Sequence, residues 1–179
     1  MLYISDVHTM PPDSFANPLQ KEVYRTLKAL RIPFERVDTG EAITMDDCAG
    51  INKKLRMEMV KTLFLCNRQQ TAFYLFVTAG NKPFRASDFS AALGIPRVSF
   101  APIELMERML RTKIGAATVF SALLDRSGKV HIVFDRDVST HPWYGCSDGT
   151  TTSYLKVATG QIIRVFLPST GHIPDVIEV

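Results

Sequence analysis

An apolar β-strand pattern in the middle of the chain limits the folds that this sequence can adopt. Residues 60–66 are apolar apart from Lys61 and Thr62, and the polar run 67–70 follows them. Residues 72–77 then read Ala-Phe-Tyr-Leu-Phe-Val, which is apolar on both faces. Two apolar faces are typical of a strand in the centre of a sheet that is covered on both sides. The sequence therefore predicts a fold built around a sheet with a buried central strand.

Helical and extended segments alternate around this centre. Asn17 and Pro18 suit an N-cap and a first helical position, and the apolar spacing that follows predicts a helix over residues 18–30. Further helices are expected at 46–57, from a Ser87 cap to Gly94, and after Pro102, with core-facing side chains at Ile103, Met106, Met109 and Leu110. Short strands are expected at 34–37, 97–100 and 176–179.

The last third of the chain predicts a hairpin, a loop and a helix. The hairpin is expected to join residues 119–124 to 129–134, with Gly128 in the left-handed turn position. A polar loop follows over 139–150, and a helix from Thr159 buries Ile162, Ile163 and Phe166, although a strand fits that segment nearly as well. We expect one α/β (α+β) domain over residues 17–179, with a curved mixed sheet and peripheral helices, preceded by an irregular leader at 1–16.

Composition narrows the class of protein. The 179 residues are 46% hydrophobic and 22% charged, which is typical of a globular protein. Lys and Arg total 21 against 18 Asp and Glu, and this net charge of +3 excludes a strongly basic nucleic-acid coat while leaving room for a local basic patch. The N-terminus does not match a signal peptide, no window is apolar enough to span a membrane, and the three cysteines form no C-x-x-C pair. A cytoplasmic protein is therefore expected, with no contact with membrane or DNA.

Lys61 is the first candidate functional residue. On a strand it shares a face with Leu63 and Leu65, so its ammonium must either reach solvent at the end of the strand or line the mouth of a pocket. At a pocket mouth it could hold a phosphate, a carboxylate or a polarised carbonyl. The alternative is an ordinary solvated lysine at the start of the strand.

The segment around His141 is the second candidate. His141-Pro142 fixes a turn, and Gly145, Gly149 and the hydroxyl run 150–153 could surround the polar end of a ligand, or form an ordinary surface turn. His141, Cys146 and Asp148 also suggest a thiol hydrolase. Three residues of one short loop rarely provide that geometry, however, and a zinc site built on His141 and Cys146 would be incomplete.

Small residues and basic groups provide two weaker signals. Residues 115–121, which begin Gly-Ala-Ala-Thr, would let a ligand or another backbone approach closely, or simply connect a helix to a strand tightly. Three groups of basic residues are usually solvated helix faces, but together they suggest phosphate contacts. Lys53, Lys54 and Arg56 form one of these groups.

Four motifs in chain order resemble those of a known family. They are Lys61-Thr62-Leu63-Phe64-Leu65, the Ser-Phe-x-x-x-Glu-Leu segment at 99–105, the small-residue loop at 115–123, and His141-Pro142 followed by Thr150-Thr151. In this order and spacing the chain resembles the YbaK-like family of aminoacyl-tRNA editing domains, which also occurs as an insertion in bacterial prolyl-tRNA synthetases. The resemblance runs from about residue 18 to the C-terminus. This chain departs from the family pattern at two positions. It has Gly145 where the family commonly has an Asn shortly after His-Pro, and Ser121 where the family frequently has a Gly.

The resemblance implies a barrel-like mixed sheet and the hydrolysis of misacylated tRNA, most often Ala-tRNA(Pro), without a cofactor or metal. Aminoacyl-tRNA is the implied substrate, with Lys53, Lys54 and Arg56 as its expected tRNA contacts. An aminoacyl-tRNA synthetase stays open as a second partner. The implied catalytic residues are Lys61, Gly115 and His141. The implied substrate-binding residues are Phe64, Thr118, Phe120, Ser121, Pro142, Gly145, Asp148, Thr150 and Thr151. The competing hypotheses are a noncatalytic module that binds tRNA or a synthetase, and a thiol hydrolase centred on Cys146.

Overall fold

A computed structural model describes residues 2–179, which form two β-sheets with helices packed around them. One sheet has five strands in the order β4-β2-β3-β5-β8, and the other has three in the order β1-β7-β6. The strands are β1 Glu35–Asp38, β2 Val60–Asn67, β3 Phe73–Ala79, β4 Val98–Phe100, β5 Val130–Asp135, β6 Trp143–Ser147, β7 Ser153–Ala158 and β8 Asp175–Ile177. The α/β class and the mixed sheet are thus confirmed, but the strands divide into two sheets and do not close into a barrel.

The helices begin and end close to the predicted positions. They are α1 Pro18–Ala29, α2 Ala49–Leu55, α3 Ala86–Leu93, α4 Ile103–Leu110, α5 Arg136–Ser139, α6 Thr159–Gln161 and α7 Leu167–Ser169. A 3₁₀ helix at Val119–Leu124 and a π-helical turn at Ile162–Phe166 complete the set. None of the helices in residues 2–179 combines the length and the apolar character that crossing a lipid bilayer requires.

Local signals explain where the helices stop and start. Asn17 caps α1 as predicted, because its side-chain oxygen accepts a hydrogen bond from the Gln20 amide at 2.8 Å. Gly94 ends α3 in the left-handed conformation, also as predicted, but Arg85 and not Ser87 is the N-cap. In α4 the prediction for Ile103 was wrong, since that side chain is exposed while Leu105 is buried.

β3 is the buried central strand that the sequence predicts. It pairs antiparallel with β2, where Lys61 lies opposite Thr78, and parallel with β5 on its other side. β5 in turn pairs parallel with β8. Both faces of β3 are covered, because Leu75 and Val77 belong to the largest apolar cluster and Phe76 to a second one beneath α3.

The predicted hairpin at 119–134 was wrong. Residues 119–124 form a 3₁₀ helix that Thr118 caps, and the Ser121 hydroxyl donates to the Leu110 carbonyl at 2.8 Å. An apolar run of six residues does not by itself distinguish a strand from a buried helical segment. The turn itself is confirmed, since Gly128 has φ +64° and the Asp125 carboxylate accepts from the amides at the start of β5.

The predicted polar loop at 139–150 was also wrong, because it contains strand β6. No strand is predicted at 153–158, yet β7 lies there and pairs with both β1 and β6. The segment from Thr159 to Ser169 is helical, so the strand alternative for it was wrong. Residues 2–16 contain two isolated bridges to this sheet, Ile4 to Thr39 and His8 to Arg36.

The two sheets meet along one line, which we call the seam. There the Met59 backbone, just before β2, bridges to Gly145 of β6. A Cβ on Gly145 would contact the Met57 sulfur and would lie 3.0 Å from the Glu58 carbonyl oxygen, so only glycine permits this approach. The seam therefore brings the start of β2 beside the middle of β6.

Candidate functional site

A cavity of about 240 Å³ opens at the seam, and we call it the seam cavity. Lys61 and Thr62 line it from β2, and Cys146 and Ser147 line it from β6. Its other lining residues come from the segment before α2, from the start of β2, from the glycine loop and from β7: Ala42, Ile43, Thr44, Met45, Cys48, Met59, Val60, Gly115, Ala117 and Tyr154. Two of the three residues implied as catalytic, Lys61 and Gly115, thus line one cavity.

Lys61 lines this cavity from β2 and is half-buried. Its Nζ donates to the carbonyl oxygen of Lys82, in the loop after β3. Partial burial lowers the pKa of Lys61, because removing water disfavours the charged form. That loop is itself fixed, since Lys82 Nζ lies 2.9 Å from the carboxylates of both Asp135 and Asp137. Lys61 therefore lines a pocket with its ammonium fixed by the loop after β3, and a pocket position is one of the two alternatives that the strand pattern left open.

Gly115 lines the same cavity, in a backbone conformation that favours glycine. Its φ is +83°, and a Cβ would lie 3.0 Å from the Ile43 Cα. Within residues 2–179 its amide makes no hydrogen bond to another backbone group, whereas the next amide, that of Ala116, donates to Lys113. The Gly115 N–H is thus available to a ligand.

The inner walls of the cavity are apolar and thiol-containing. Burial raises the pKa of Cys48 to about 11 and raises that of Cys146 further above its usual range. The Tyr154 hydroxyl donates to the Ala42 carbonyl at 2.6 Å, which fixes the segment before α2 against β7. Because a nucleophilic cysteine needs its thiolate, the buried Cys146 thiol contradicts the thiol-hydrolase hypothesis.

Asp148 lies outside the cavity and joins α1 to the β6–β7 turn. Its carboxylate accepts from Gln20 Nε2 at 2.8 Å, from the Tyr24 hydroxyl at 2.7 Å and from the Thr150 hydroxyl at 2.8 Å. Complete burial raises the pKa of Asp148 despite these donors. The structure thus places Asp148 and Thr150 in a buried hydrogen-bond network and not at the cavity.

Four residues implied as substrate contacts lie in the apolar core. Phe64 stacks on Phe73 with ring centroids 5.9 Å apart, and Phe120 packs edge-on against Phe166 at 5.0 Å. Thr118 caps the 3₁₀ helix and Ser121 bonds Leu110, as described above. All four are buried, and the seam cavity reaches none of them.

The structure separates His141 and Pro142 from the seam cavity. Both are exposed, and the His141 Nδ1 lies 3.2 Å from the Trp143 amide. Both line a different, shallow depression against α6, more open to solvent. Gly145 packs against Met57 at the seam, and the Thr151 carbonyl accepts from the Ala42 amide at 2.9 Å. This segment therefore contributes its later residues to the cavity and not its histidine.

The predicted basic group lies on and just after α2. Lys53, Lys54 and Arg56 are all exposed, and Lys54 pairs with Asp6 at 3.1 Å. This surface adjoins the segment at 42–48 that lines the cavity. Within residues 2–179, no three His, Cys, Asp or Glu side chains lie together in an arrangement that could hold a metal ion.

Sequence reasoning missed the apolar walls of the cavity. Ile43, Met45, Met59 and Tyr154 come from a bend, the start of β2 and the unpredicted strand β7. The available signal for β7 was the apolar pair Leu155 and Val157 on either side of Lys156. No comparable signal marks Ile43 or Met45, because a bend has no periodicity.

Comparisons with known proteins find a family model and a curated relative that match this chain. The model of the aminoacyl-tRNA editing domain family matches residues 39–165, which is more than half of the chain. The prolyl-tRNA editing protein ProX of Acetoanaerobium sticklandii is 24% identical over 129 residues, covering 69% of this chain and 79% of that protein.

Solved structures share the fold. A hypothetical protein designated APE2540 has a TM-score of 0.69 at 17% identity, over 88% of this chain and 98% of that one. A candidate trans-editing enzyme for prolyl tRNA synthetase has a TM-score of 0.64 at 16% identity, over 92% and 99% of the two chains. The match over residues 39–165 includes Lys61, Gly115 and the strands that form the seam cavity. This chain belongs to the aminoacyl-tRNA editing domain family.

Proposed function

We propose that this protein is a trans-editing hydrolase that deacylates misacylated tRNA, with Ala-tRNA(Pro) or another small aminoacyl-tRNA as its substrate. The observation that carries the proposal is that Lys61 and Gly115, far apart in the sequence, line one cavity. The membership of the editing family and the similarity to a prolyl-tRNA editing protein support it. The reaction adds water to the ester carbonyl, breaks the bond to the ribose oxygen, and releases the amino acid and a free tRNA hydroxyl.

The walls of the cavity supply a means of selecting an acyl group by size. Met45, Met59 and Tyr154 line it, and their side chains limit the depth available to an entering group. A synthetase cannot strongly reject a substrate smaller than its own, because a missing methylene group is worth only ~1–3 kcal/mol of binding. A second site that excludes larger side chains by size supplies the missing discrimination.

The polar groups suit an ester whose carbonyl oxygen gains negative charge. A cation and an N–H donor held in place before the reaction stabilise that charge without reorganisation. We assign this role to Lys61 and the Gly115 amide, and expect the neighbouring ribose hydroxyl of the tRNA to help activate the water, as the family resemblance implies. The mechanism that we propose needs no metal and no protein nucleophile. His141 is not assigned a role in it, because it lies outside the cavity.

A noncatalytic tRNA-binding module is the second candidate function. The observation in its favour is that Lys61 Nζ already donates to the Lys82 carbonyl, so an ester would have to compete for it. Such a module would bind tRNA while leaving the ester intact.

A panel of charged tRNAs tests the proposal. Purified protein is incubated with tRNAs carrying Ala, Ser, Cys, Thr or Pro, and the loss of each ester is followed. We expect the smallest acyl group to be removed fastest, and Lys61→Ala to lower kcat/KM by about 10²–10³-fold.

The matched control is Lys129→Ala, which removes an exposed lysine before β5 and should leave the rate unchanged. Unchanged rates in Lys61→Ala would contradict the proposed role of that residue. If all five esters stay intact while the protein binds tRNA, the result would favour the noncatalytic module.

A further inference from the structure

Lys61 belongs to a row of polar side chains that crosses β2, β3 and β5. In the register of the five-stranded sheet, Lys61 lies directly opposite Thr78 of β3. Residues that lie opposite each other on paired antiparallel strands point to the same face of the sheet. The Thr78 hydroxyl in turn donates to the Asp135 carboxylate of β5 at 2.7 Å. The row therefore leads from a cavity-lining lysine to a carboxylate that is completely buried.

The loop between β3 and α3, residues 80–85, connects the two ends of this row. The Lys82 carbonyl oxygen accepts from the Lys61 ammonium, and the Lys82 ammonium lies 2.9 Å from the carboxylates of both Asp135 and Asp137. Lys82 thus contacts Lys61 through its backbone and the carboxylates through its side chain. We give the name anchor network to the four residues behind Lys61: Thr78, Lys82, Asp135 and Asp137.

Asp135 is the centre of the anchor network, because both of its carboxylate oxygens have partners. Oδ2 accepts from Thr78 and pairs with Lys82, while Oδ1 accepts from the Asp137 amide at 3.2 Å and caps α5. Removing water from two charges offsets their attraction, so a buried ion pair adds little net stability. What the pair provides is a defined position for the Lys82 side chain, and with it for the carbonyl that Lys61 contacts.

A separate apolar contact holds the end of the same loop. The Phe84 ring packs against the rings of Phe76 and Phe100, with centroid distances of 6.0 and 5.5 Å. This contact does not involve the anchor network. Loss of the Lys82 ammonium should therefore leave the loop attached to the fold and release only the part that holds Lys61.

We propose that Lys82 and Asp135 are positioning residues for the hydrolysis of the ester, because they hold the Lys61 ammonium where charge develops on the carbonyl oxygen. Neither residue lines the seam cavity, so both act through Lys61. This inference rests on the proposed function for the role of Lys61 in the reaction. A misplacement of about 1 Å at a reacting group can lower a rate about 10²-fold, which makes remote residues of this kind matter.

A double-mutant cycle between Lys61 and Lys82 tests the proposal. Lys82→Met removes the ammonium but keeps the backbone carbonyl, and it should lower kcat by about 10–10²-fold with KM for aminoacyl-tRNA unchanged. In the Lys61→Ala background the same change should lower kcat by less than about twofold, because the group that it displaces is already absent. A decrease by the same factor in both backgrounds, or wild-type kcat in Lys82→Met, would overturn the proposal.

Further variants separate positioning from a loss of stability. Lys82→Arg keeps a cation that can pair with both carboxylates, and it should restore most of kcat. The matched control is Arg136→Met on α5, which removes the exposed ion pair with Glu178 and should leave kcat unchanged. If Lys82→Met does not fold, Lys82→Met/Asp135→Asn removes both charges together and carries the same prediction, since no unpaired buried charge remains.

Nuclear magnetic resonance observes the Lys61 ammonium without any substrate. Its Nζ signal is assigned by its absence in Lys61→Ala. In the wild type its protons should exchange with water more slowly than those of exposed lysines, and this protection should be lost in Lys82→Met. Such a loss in a protein that hydrolyses no ester would contradict the proposed function alone. An active protein in which Lys82→Met changes neither this signal nor kcat would contradict the positioning role alone.

Discussion

The protonation state of Lys61 decides what a single side chain can do at the seam cavity. An ammonium can polarise an ester carbonyl, whereas a neutral amine cannot stabilise the developing charge in the same way. Partial burial already lowers the pKa of this group. Its environment therefore limits the pH range in which the proposed chemistry operates.

This leads to a pH prediction for the reaction. Activity should be complete while Lys61 is protonated and should fall as pH rises through its pKa, which lies below that of an exposed lysine. The measurement is kcat/KM between neutral and alkaline pH, corrected for spontaneous hydrolysis of the ester without enzyme. Lys61→Arg, if active, should lose this alkaline decline, because a guanidinium stays protonated there. A decline of the same shape in Lys61→Arg would show that another group titrates.

Residue types in their local order predicted part of the site. Lys61 was identifiable because a cation on an apolar strand face must either reach solvent or line a pocket. The turn at Gly128 was identifiable because the preference of glycine for the left-handed conformation depends on that residue alone. The roles implied for Phe64 and Phe120 came with the resemblance, and the structure buries both side chains in the core. A motif records which residues recur together, but it does not say which side of a strand or helix faces the ligand.

At the scale of secondary structure, the 3₁₀ helix at Val119–Leu124 is the element that a sequence pattern described least well. Its apolar residues face the core through Phe120 and Ala122. Its one polar residue, Ser121, donates to the Leu110 carbonyl, and the Phe120 amide donates to the Thr118 hydroxyl. Contacts made through the rest of the fold decide this conformation, and they are absent from the local pattern. The same holds for β6, whose Gly-Cys-Ser sequence becomes a strand only because β7 pairs with it.

Phe120→Ala tests whether this element is structural or part of the acyl pocket. Because the ring is fully buried against Phe166, its removal should lower the free energy of unfolding by ~3–5 kcal/mol. Urea denaturation measures this decrease. The matched control is Phe100→Ala, whose ring on β4 is 61% exposed and whose removal should cost far less. Loss of deacylation with unchanged stability would instead place Phe120 at the substrate.

At the scale of the whole molecule, the site is a product of how two sheets meet. Neither sheet contains the cavity alone: β2 supplies Lys61, and β6 and β7 supply the opposite wall. The sequence predicted the mixed sheet around β3 but not its division in two, because pairing between β1 and β7 joins segments more than a hundred residues apart. Long-range pairing of this kind leaves no local trace in the sequence.

Gly145→Ala tests the dependence of the site on the seam. Its added Cβ would lie 3.0 Å from the Glu58 carbonyl oxygen and against the Met57 sulfur, so the sheets must separate locally. We expect a decrease of about 1–3 kcal/mol in unfolding free energy together with slower deacylation. The control is Gly40→Ala, where the nearest atom is the mobile end of Leu2 at 3.2 Å. Full activity in Gly145→Ala would separate the cavity from the seam.

The seam cavity lies between two sheets, so its width depends on residues that hold the sheets apart and do not line the cavity. Met57 lies behind Gly145 and sets the spacing at the seam without lining the cavity. Changes at such hidden positions can alter which amino acids enter while every contacting side chain stays the same. Relatives with identical pocket linings can thus differ in the errors of translation that they correct.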